Sequence, residues 1–277
     1  MTKRKTIIIT GASRGLGEAI AKRCLRTKEN LILLSRNEPG IHLSMNSDWY
    51  SCDLREESEV YNVALRILKE YDTIDAIINN AGMQGDIESL SEISSWKTWK
   101  DVINTNLLSP ILLIKMLLQR MPDGGKIINI SGGGATSPRE GLSAYATSKT
   151  GLVRFSETLA CELSRRKIDV NCISPGAMYS AMTDEAISLG ENSHYEKEYL
   201  SAITTKKTGG FQKDKVTELI MFLLSEHSNG ITGKLISAQW DNWKKFPMNP
   251  NIKDSDVYTL RRIVAKDRKD IWDGLDK

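Results

Sequence analysis

The stretch Lys5-Thr6-Ile7-Ile8-Ile9-Thr10-Gly11-Ala12-Ser13-Arg14-Gly15-Leu16-Gly17 decides the fold. Its β-branched run reads as a buried strand that breaks into three glycines, spaced by four and then two residues. The segment that follows, to Leu25, carries apolar residues at positions 16, 20, 21, 24 and 25, a helical pattern. A strand, a glycine turn and a helix start make an anion site. Backbone N–H groups and the positive helix end face the anion, and glycines let it come close. Three glycines would equally serve a plain strand-to-helix turn. The strand before them and the helix after them favour the nucleotide reading.

Working outward, 277 residues suit one large α/β domain with a sizeable core. The balance of 38 basic against 35 acidic residues gives no nucleic-acid or membrane footprint. Cys24, Cys52, Cys161 and Cys172 lack CxxC spacing and read as reduced thiols. His42, His194 and His227 are scattered, so no metal site is expected. The basic N-terminus enters the first strand without a signal-type apolar stretch, and no segment reads as long enough to span a bilayer. The expectation is a soluble, cytoplasmic protein.

Further strands are expected at 30–35, 49–54, 74–78, 126–130, 169–173 and 234–238, with helices at 56–70, 145–165 and 213–226. The short polar stretch 37–48 leaves little room for a helix between the second and third strands. A long helical region after Ser95 is expected to be interrupted near Asn104–Pro110, and 174–210 to be irregular. Strands alternating with helices predict an α/β fold with a doubly wound parallel sheet.

With these pieces placed, the chain resembles the short-chain dehydrogenase/reductase family, whose members have a Rossmann fold. The matching residues are Thr10-Gly11 with Gly15 and Gly17, Asp53-Leu54, Asn79-Asn80-Ala81-Gly82, Asn106, Tyr145 with Lys149, and Pro175-Gly176. The resemblance covers 5–238, giving a domain over 1–238 and a C-terminal extension over 239–277 with no counterpart in the common core. It implies an NAD(P)-dependent oxidoreductase that interconverts a carbonyl and an alcohol.

Tyr145 and Lys149 stand at i and i+4 on one helix face. A free tyrosine, with a pKa near 10, is a poor acid–base at neutral pH. A lysine ammonium one turn away favours the phenolate. The resemblance makes Tyr145 the proton donor to the substrate oxygen and has Lys149 also hold the nicotinamide ribose. It makes Asn106 the support of a water relay. Gly11, Ser13, Arg14, Gly15, Leu16 and Gly17 would cradle the dinucleotide. Asp53 and Leu54 would meet the adenine, although Asp53 could equally be an ordinary helix cap. Asn80, Ala81 and Gly82 would shape the adenine–ribose side, with Tyr145, Lys149, Pro175, Gly176 and Ser180 at the nicotinamide end. Residues 181–210 resemble the family's mobile substrate lid.

An NAD-binding sheet of this kind usually ends its second strand with an acid that binds the ribose 2′-hydroxyl. This chain has Ser35-Arg36 there and Arg14 in the glycine loop, so NADP(H) is expected over NAD(H), with Glu38 nearby as the opposing charge. The family also places a serine at the end of the fifth strand. Counting back from Tyr145 reaches Gly132, which has no hydroxyl. Ser131 is one residue off and faces the other way in a regular strand, unless the run Gly132–Gly134 forms a bulge that turns it inward. Ser131 is the expected substitute.

Residues 107–121 are apolar nearly all round, which with the family's habit implies a homodimer or homotetramer. In the tail, Trp240, Trp243 and Phe246 are expected to form a packing arm, followed by a helix over 257–264. A second reading has these aromatics with Arg261 or Arg262 lining a pocket for a polar substrate. The alternative function is a cofactor-binding protein with little catalysis.

Overall fold

The computed structural model describes residues 4–41, 46–191, 194–263 and 267. Seven parallel strands form one sheet: β1 (Thr6–Thr10), β2 (Asn30–Ser35), β3 (Ser47–Ser51), β4 (Ala76–Asn79), β5 (Lys126–Ile130), β6 (Asp169–Ser174) and β7 (Leu235–Ser237). Their spatial order is β3-β2-β1-β4-β5-β6-β7, so the winding reverses between β1 and β4, where such sheets open a crevice for ligands. Ile8 pairs with Ile32 on one side and Ile77 on the other, and β-branched residues fill the pleated centre.

Both faces of the sheet are covered. Ile7, Ile9, Leu31, Leu33, Ile78 and Ile128 pack beneath α1 (Gly15–Arg26) and α8 (Lys213–Leu224). Ile8, Ile32, Leu34, Ile77 and Ile127 pack beneath α2 (Glu57–Glu70), α4 (Ser109–Leu117) and α5 (Ser143–Glu162). Two-sided burial explains why these strands read as continuous apolar runs.

The helical run before β5 is α3 (Trp96–Ile103), a π-turn over Asn104–Leu108, then α4. Pro110 has no N–H to donate, and the Ser109 N–H bonds the Asn104 carbonyl five residues back, so the expected interruption is a widened turn. Against the sequence expectation, Trp96–Arg120 as one unit is long and apolar enough to cross a membrane. Its Leu113, Ile114 and Leu117 are instead buried against α2 and the sheet.

Other boundaries moved as well. β3 begins and ends earlier than expected, because Trp49 and Tyr50 pair with Leu33 and Leu34 while Asp53 already belongs to a turn. The expected irregular stretch contains two helices, α6 (Ala181–Ile187) and α7 (Glu196–Thr208). The helix expected over 257–264 is absent among its described residues, which run as turn, bend and irregular chain, and Val264 lies outside them.

The tail covers the open edge of β7. The Leu235 N–H donates to the Tyr258 carbonyl at 2.7 Å and the Ser237 N–H to Asp241 Oδ2 at 2.7 Å, so donors at an exposed strand edge are satisfied within the chain. Trp243 and Phe246 are buried with α8, as a packing arm requires, but Trp240 is 80 % exposed and lies outside that buried cluster. Trp272 lies outside the described residues.

Candidate active site

The glycine loop is built for close approach. Gly11 and Gly15 have φ of 68° and 64°, and a Cβ on Gly17 would lie 2.1 Å from the Gly11 carbonyl oxygen. Above Gly15 nothing lies within 4 Å, which leaves a cradle open at the start of α1. Arg14 occupies the cap position without a side-chain hydrogen bond, so the cap residue leaves the first-turn N–H groups of the helix to other partners. These residues fit the phosphates of a dinucleotide. Ser13 is half-buried in the loop, Leu16 is buried beneath it, and Arg14 is exposed.

The next loop braces the first. The Thr10 hydroxyl accepts the Asn80 and Ala81 N–H groups, each at 3.0 Å, and Asn80 Nδ2 donates to the Thr10 carbonyl at 2.9 Å. Below them Asn79 donates to Asn129, and Asn129 to Ser156, each at 2.8 Å, tying β4, β5 and α5 together in the core.

Tyr145 and Lys149 both lie on the buried face of α5. Lys149 Nζ donates to the Ile130 carbonyl at 2.8 Å and stands 5.9 Å from the Tyr145 ring centre. Burial lowers the Lys149 pKa from its ordinary range to about 8. Asn106 is fully buried in the π-turn. Its Oδ1 accepts the Met83 N–H at 2.9 Å, and its Nδ2 donates to the Met83 carbonyl at 2.8 Å and to Ser148 Oγ at 3.0 Å. Gly82 stands between the two groups: a Cβ there would lie 3.2 Å from Asn106 Oδ1 and 3.4 Å from Lys149 Nζ. The structure therefore brings Tyr145, Lys149, Asn106 and Gly82 together.

Ser131 behaves differently. Pairing with β6 continues in register, with the Ser131 N–H on the Ile173 carbonyl at 2.8 Å, and Gly132 is fully extended, so the bulge expected to turn Ser131 inward is absent. Its hydroxyl is buried without a protein partner. The Tyr145 hydroxyl faces Gly132 instead. A Cβ on Gly132 would sit 2.3 Å from that oxygen, and one on Gly134 would sit 3.1 Å from the ring.

Several expected contacts are engaged elsewhere. The Asp53 carboxylate holds Arg55 through two guanidinium nitrogens and the backbone N–H, which keeps its pKa below the usual carboxylate range. It is not the helix cap, a position taken by Glu56, and Leu54 is buried with its carbonyl bonded by Ser109. The Ser35 hydroxyl donates to the Asn37 carbonyl at 2.7 Å and accepts from Trp49 Nε1 at 3.2 Å, so it braces the loop that exposes Arg36. Pro175 is buried and Gly176 turns at φ 84° against Phe211 and Gln239, whereas Ser180 is exposed at the start of α6.

Arg139, in the loop between β5 and α5, went unmarked in the sequence. Its guanidinium carbon lies 5.7 Å from the Tyr145 ring centre, and it forms a two-pronged ion pair with Glu198 on α7. Burial raises the Tyr145 pKa, Arg139 opposes that rise, and Glu198 adds to it. A lone arginine in a Ser-Pro-Arg-Glu-Gly turn has no periodicity to distinguish it.

A parallel sheet with this strand order, an open glycine cradle and a Tyr–Lys helix define a dinucleotide-dependent oxidoreductase class. The chain belongs to the short chain dehydrogenase family, whose model matches residues 5–189, and it is an NAD(P)-dependent enzyme of that family. It is 35 % identical to the 3-oxoacyl-[acyl-carrier-protein] reductase of Buchnera aphidicola, over 83 % of this chain and 93 % of that one. It is 31 % identical to the reductase of the same name from Chlamydia trachomatis, over 84 % and 95 % of the two chains. Among solved structures it resembles the Thermoplasma acidophilum aldohexose dehydrogenase, with 26 % identity, TM-score 0.73 and coverage of 85 % and 92 %.

Proposed function

We propose that this oxidoreductase reduces a carbonyl with NADPH, using Tyr145 as general acid. The observation that carries the reading is the meeting of the Tyr145 hydroxyl with the end of β5, beside a buried Lys149 tied to the Ile130 carbonyl. When bound, the nicotinamide supplies the hydride. Tyr145 gives its proton to the substrate oxygen, Lys149 stabilises the phenolate that remains, and Asn106 fixes the loop beside Lys149. Gly11, Ser13, Arg14, Gly15, Leu16, Gly17, Asn80, Ala81 and Gly82 hold the dinucleotide. The exposed Arg14 and Arg36 support a 2′-phosphate, and no carboxylate stands at the very end of β2.

The Buchnera and Chlamydia relatives make a 3-oxoacyl thioester the first substrate to test. The experiment is NADPH oxidation with acetoacetyl-CoA as probe, run beside Tyr145→Phe. Turnover that survives in the Phe variant would remove Tyr145 from the chemistry. NADH binding as tight as NADPH, by fluorescence titration, would remove the cofactor preference. A second reading, a cofactor-binding protein with weak catalysis, draws on Gly132, which brings no hydroxyl to the substrate oxygen. NADPH binding without turnover on a broad carbonyl panel would favour it. Buried unpaired thiols at Cys24, Cys52 and Cys172 support a reducing, cytoplasmic setting, and the apolar outer side of α4 supports a homodimer or homotetramer.

A further inference from the structure

Two contacts dock α7 onto the loop that leads into the tyrosine helix. One is apolar. Gly141 has φ 75°, and a Cβ there would lie 2.7 Å from the Tyr195 ring and 2.9 Å from Ile87, so the start of α7 lies directly on the loop backbone. The other is the two-pronged Arg139–Glu198 ion pair, with side chains only 29 % and 14 % exposed. Arg139 makes this pair while its guanidinium stands 5.7 Å from the centre of the Tyr145 ring. The charged groups facing Tyr145 among the described residues are Lys149 on its own helix, Arg139 on the loop and Glu198 on α7. The turn Gly132–Gly134, which packs on the phenol, carries no charge and no side chain.

We propose that Arg139 is a positioning residue for Tyr145: its guanidinium supplies positive field at the phenol, and Glu198, pairing with it from α7, sets how much of that field the phenol feels. With α7 docked, the carboxylate cancels part of the arginine charge in a partly desolvated setting, where charges at such distances still act strongly. When α7 lifts or its carboxylate turns away, the arginine charge falls more fully on the phenol and favours the phenolate. The position of the lid helix is thereby coupled to the ionisation of the tyrosine. The inference rests on the reading of Tyr145 as general acid only for its consequence in catalysis. The electrostatic coupling itself stands or falls on the free protein.

The test is ¹³Cζ-tyrosine NMR of the full-length protein between about pH 6 and 11, with the Tyr145 signal identified by its loss in Tyr145→Phe. Removing the two partners should shift its midpoint in opposite directions. Glu198→Gln should lower it by about one pH unit, and Arg139→Met should raise it by about as much, which includes loss of titration below pH 11. Arg139→Lys keeps the charge and should leave the midpoint within a few tenths of a unit of the parent. A pair that serves only to hold α7 would loosen that helix in both variants and move the midpoint the same way in both, or not at all. Either result overturns the proposal. If Arg139→Met does not fold, Glu198→Gln decides alone, since an unchanged or raised midpoint contradicts the coupling. Retained turnover in Tyr145→Phe alongside opposite NMR shifts would refute the catalytic role and leave the coupling standing.

Discussion

At Gly132 the fold has made a choice. The Tyr145 hydroxyl occupies the space a side chain would need, since a Cβ would approach it to 2.3 Å. Gly132→Ala should therefore displace the phenol, lower turnover by at least about tenfold and destabilise the protein by about 1–3 kcal/mol, measured by kinetics and urea unfolding. An alanine variant with parental kinetics would show that the phenol works from another position. Lys149 permits a prediction independent of turnover. Its pKa falls from 10.5 to about 8 on folding because the ammonium is buried. Between those values the unfolded chain carries more protons than the folded one, so stability rises with pH across that window. Below pH 8 the full cost of a buried charge is present. Lys149→Met removes that cost and should raise stability by about 1–3 kcal/mol at pH 7, less the lost bond to Ile130, with the gain shrinking as pH rises above about 8. A gain that does not vary with pH would mean that the ammonium is solvated.

Elements whose faces are divided cleanly between core and solvent were legible. β1, β2 and β5 announce themselves as apolar runs, rich in isoleucine in β1 and β5 and in leucine in β2, because both sheet faces are covered. Pro110 marked the π-turn, and the spacing of Tyr145 and Lys149 gave their shared face. α6 and α7 were read as irregular because so little of them is buried: Thr183 and Ala186 in one, Ala202 and Thr205 in the other. A helix that rests on a neighbour through two small residues leaves almost no periodicity to detect. The placement of the candidate site residues was legible where residue type and spacing mark them, as at Gly11, Asn106 and Tyr145. It was not legible where a long-range contact decides, as for Arg139 with Glu198 or Asp53 with Arg55. The same thin burial predicts behaviour. Backbone amides of α6 and α7 should exchange hydrogen at least about tenfold faster than those of α5, and NADPH should slow them. Equal exchange in all three helices would mean that 181–208 is a rigid part of the fold rather than a lid.

Over the whole molecule, two apolar surfaces lie outside the sheet's own layers, and the chain treats them differently. On α4 and the π-turn before it, Leu108 is half exposed while Ile111, Leu112 and Met116 are only partly covered. That side supports the proposed dimer, and Leu112→Glu should turn a dimer measured by light scattering into monomer. The surface beside β7 is covered from within. Trp243 and Phe246 are 7 % and 4 % exposed and Ile252 is 2 % exposed, and they extend the core under α8 while Tyr258 and Asp241 satisfy the strand edge. Full burial of three such side chains contributes about 2–3 kcal/mol each, a total comparable with the whole stability of many domains, about 5–15 kcal/mol. Ending the chain at Ala238 should therefore yield aggregated protein, through both the stripped apolar patch and the open β7 edge. Point variants separate packing from substrate binding. Phe246→Ala should cost about 3–5 kcal/mol in denaturant unfolding and leave NADPH affinity intact in the folded fraction. Trp240→Ala should change stability by less than about 0.5 kcal/mol, since that ring is 80 % exposed. If Trp240→Ala instead weakens substrate binding at unchanged stability, the exposed ring belongs to a pocket, and the tail serves the active site as well as the core.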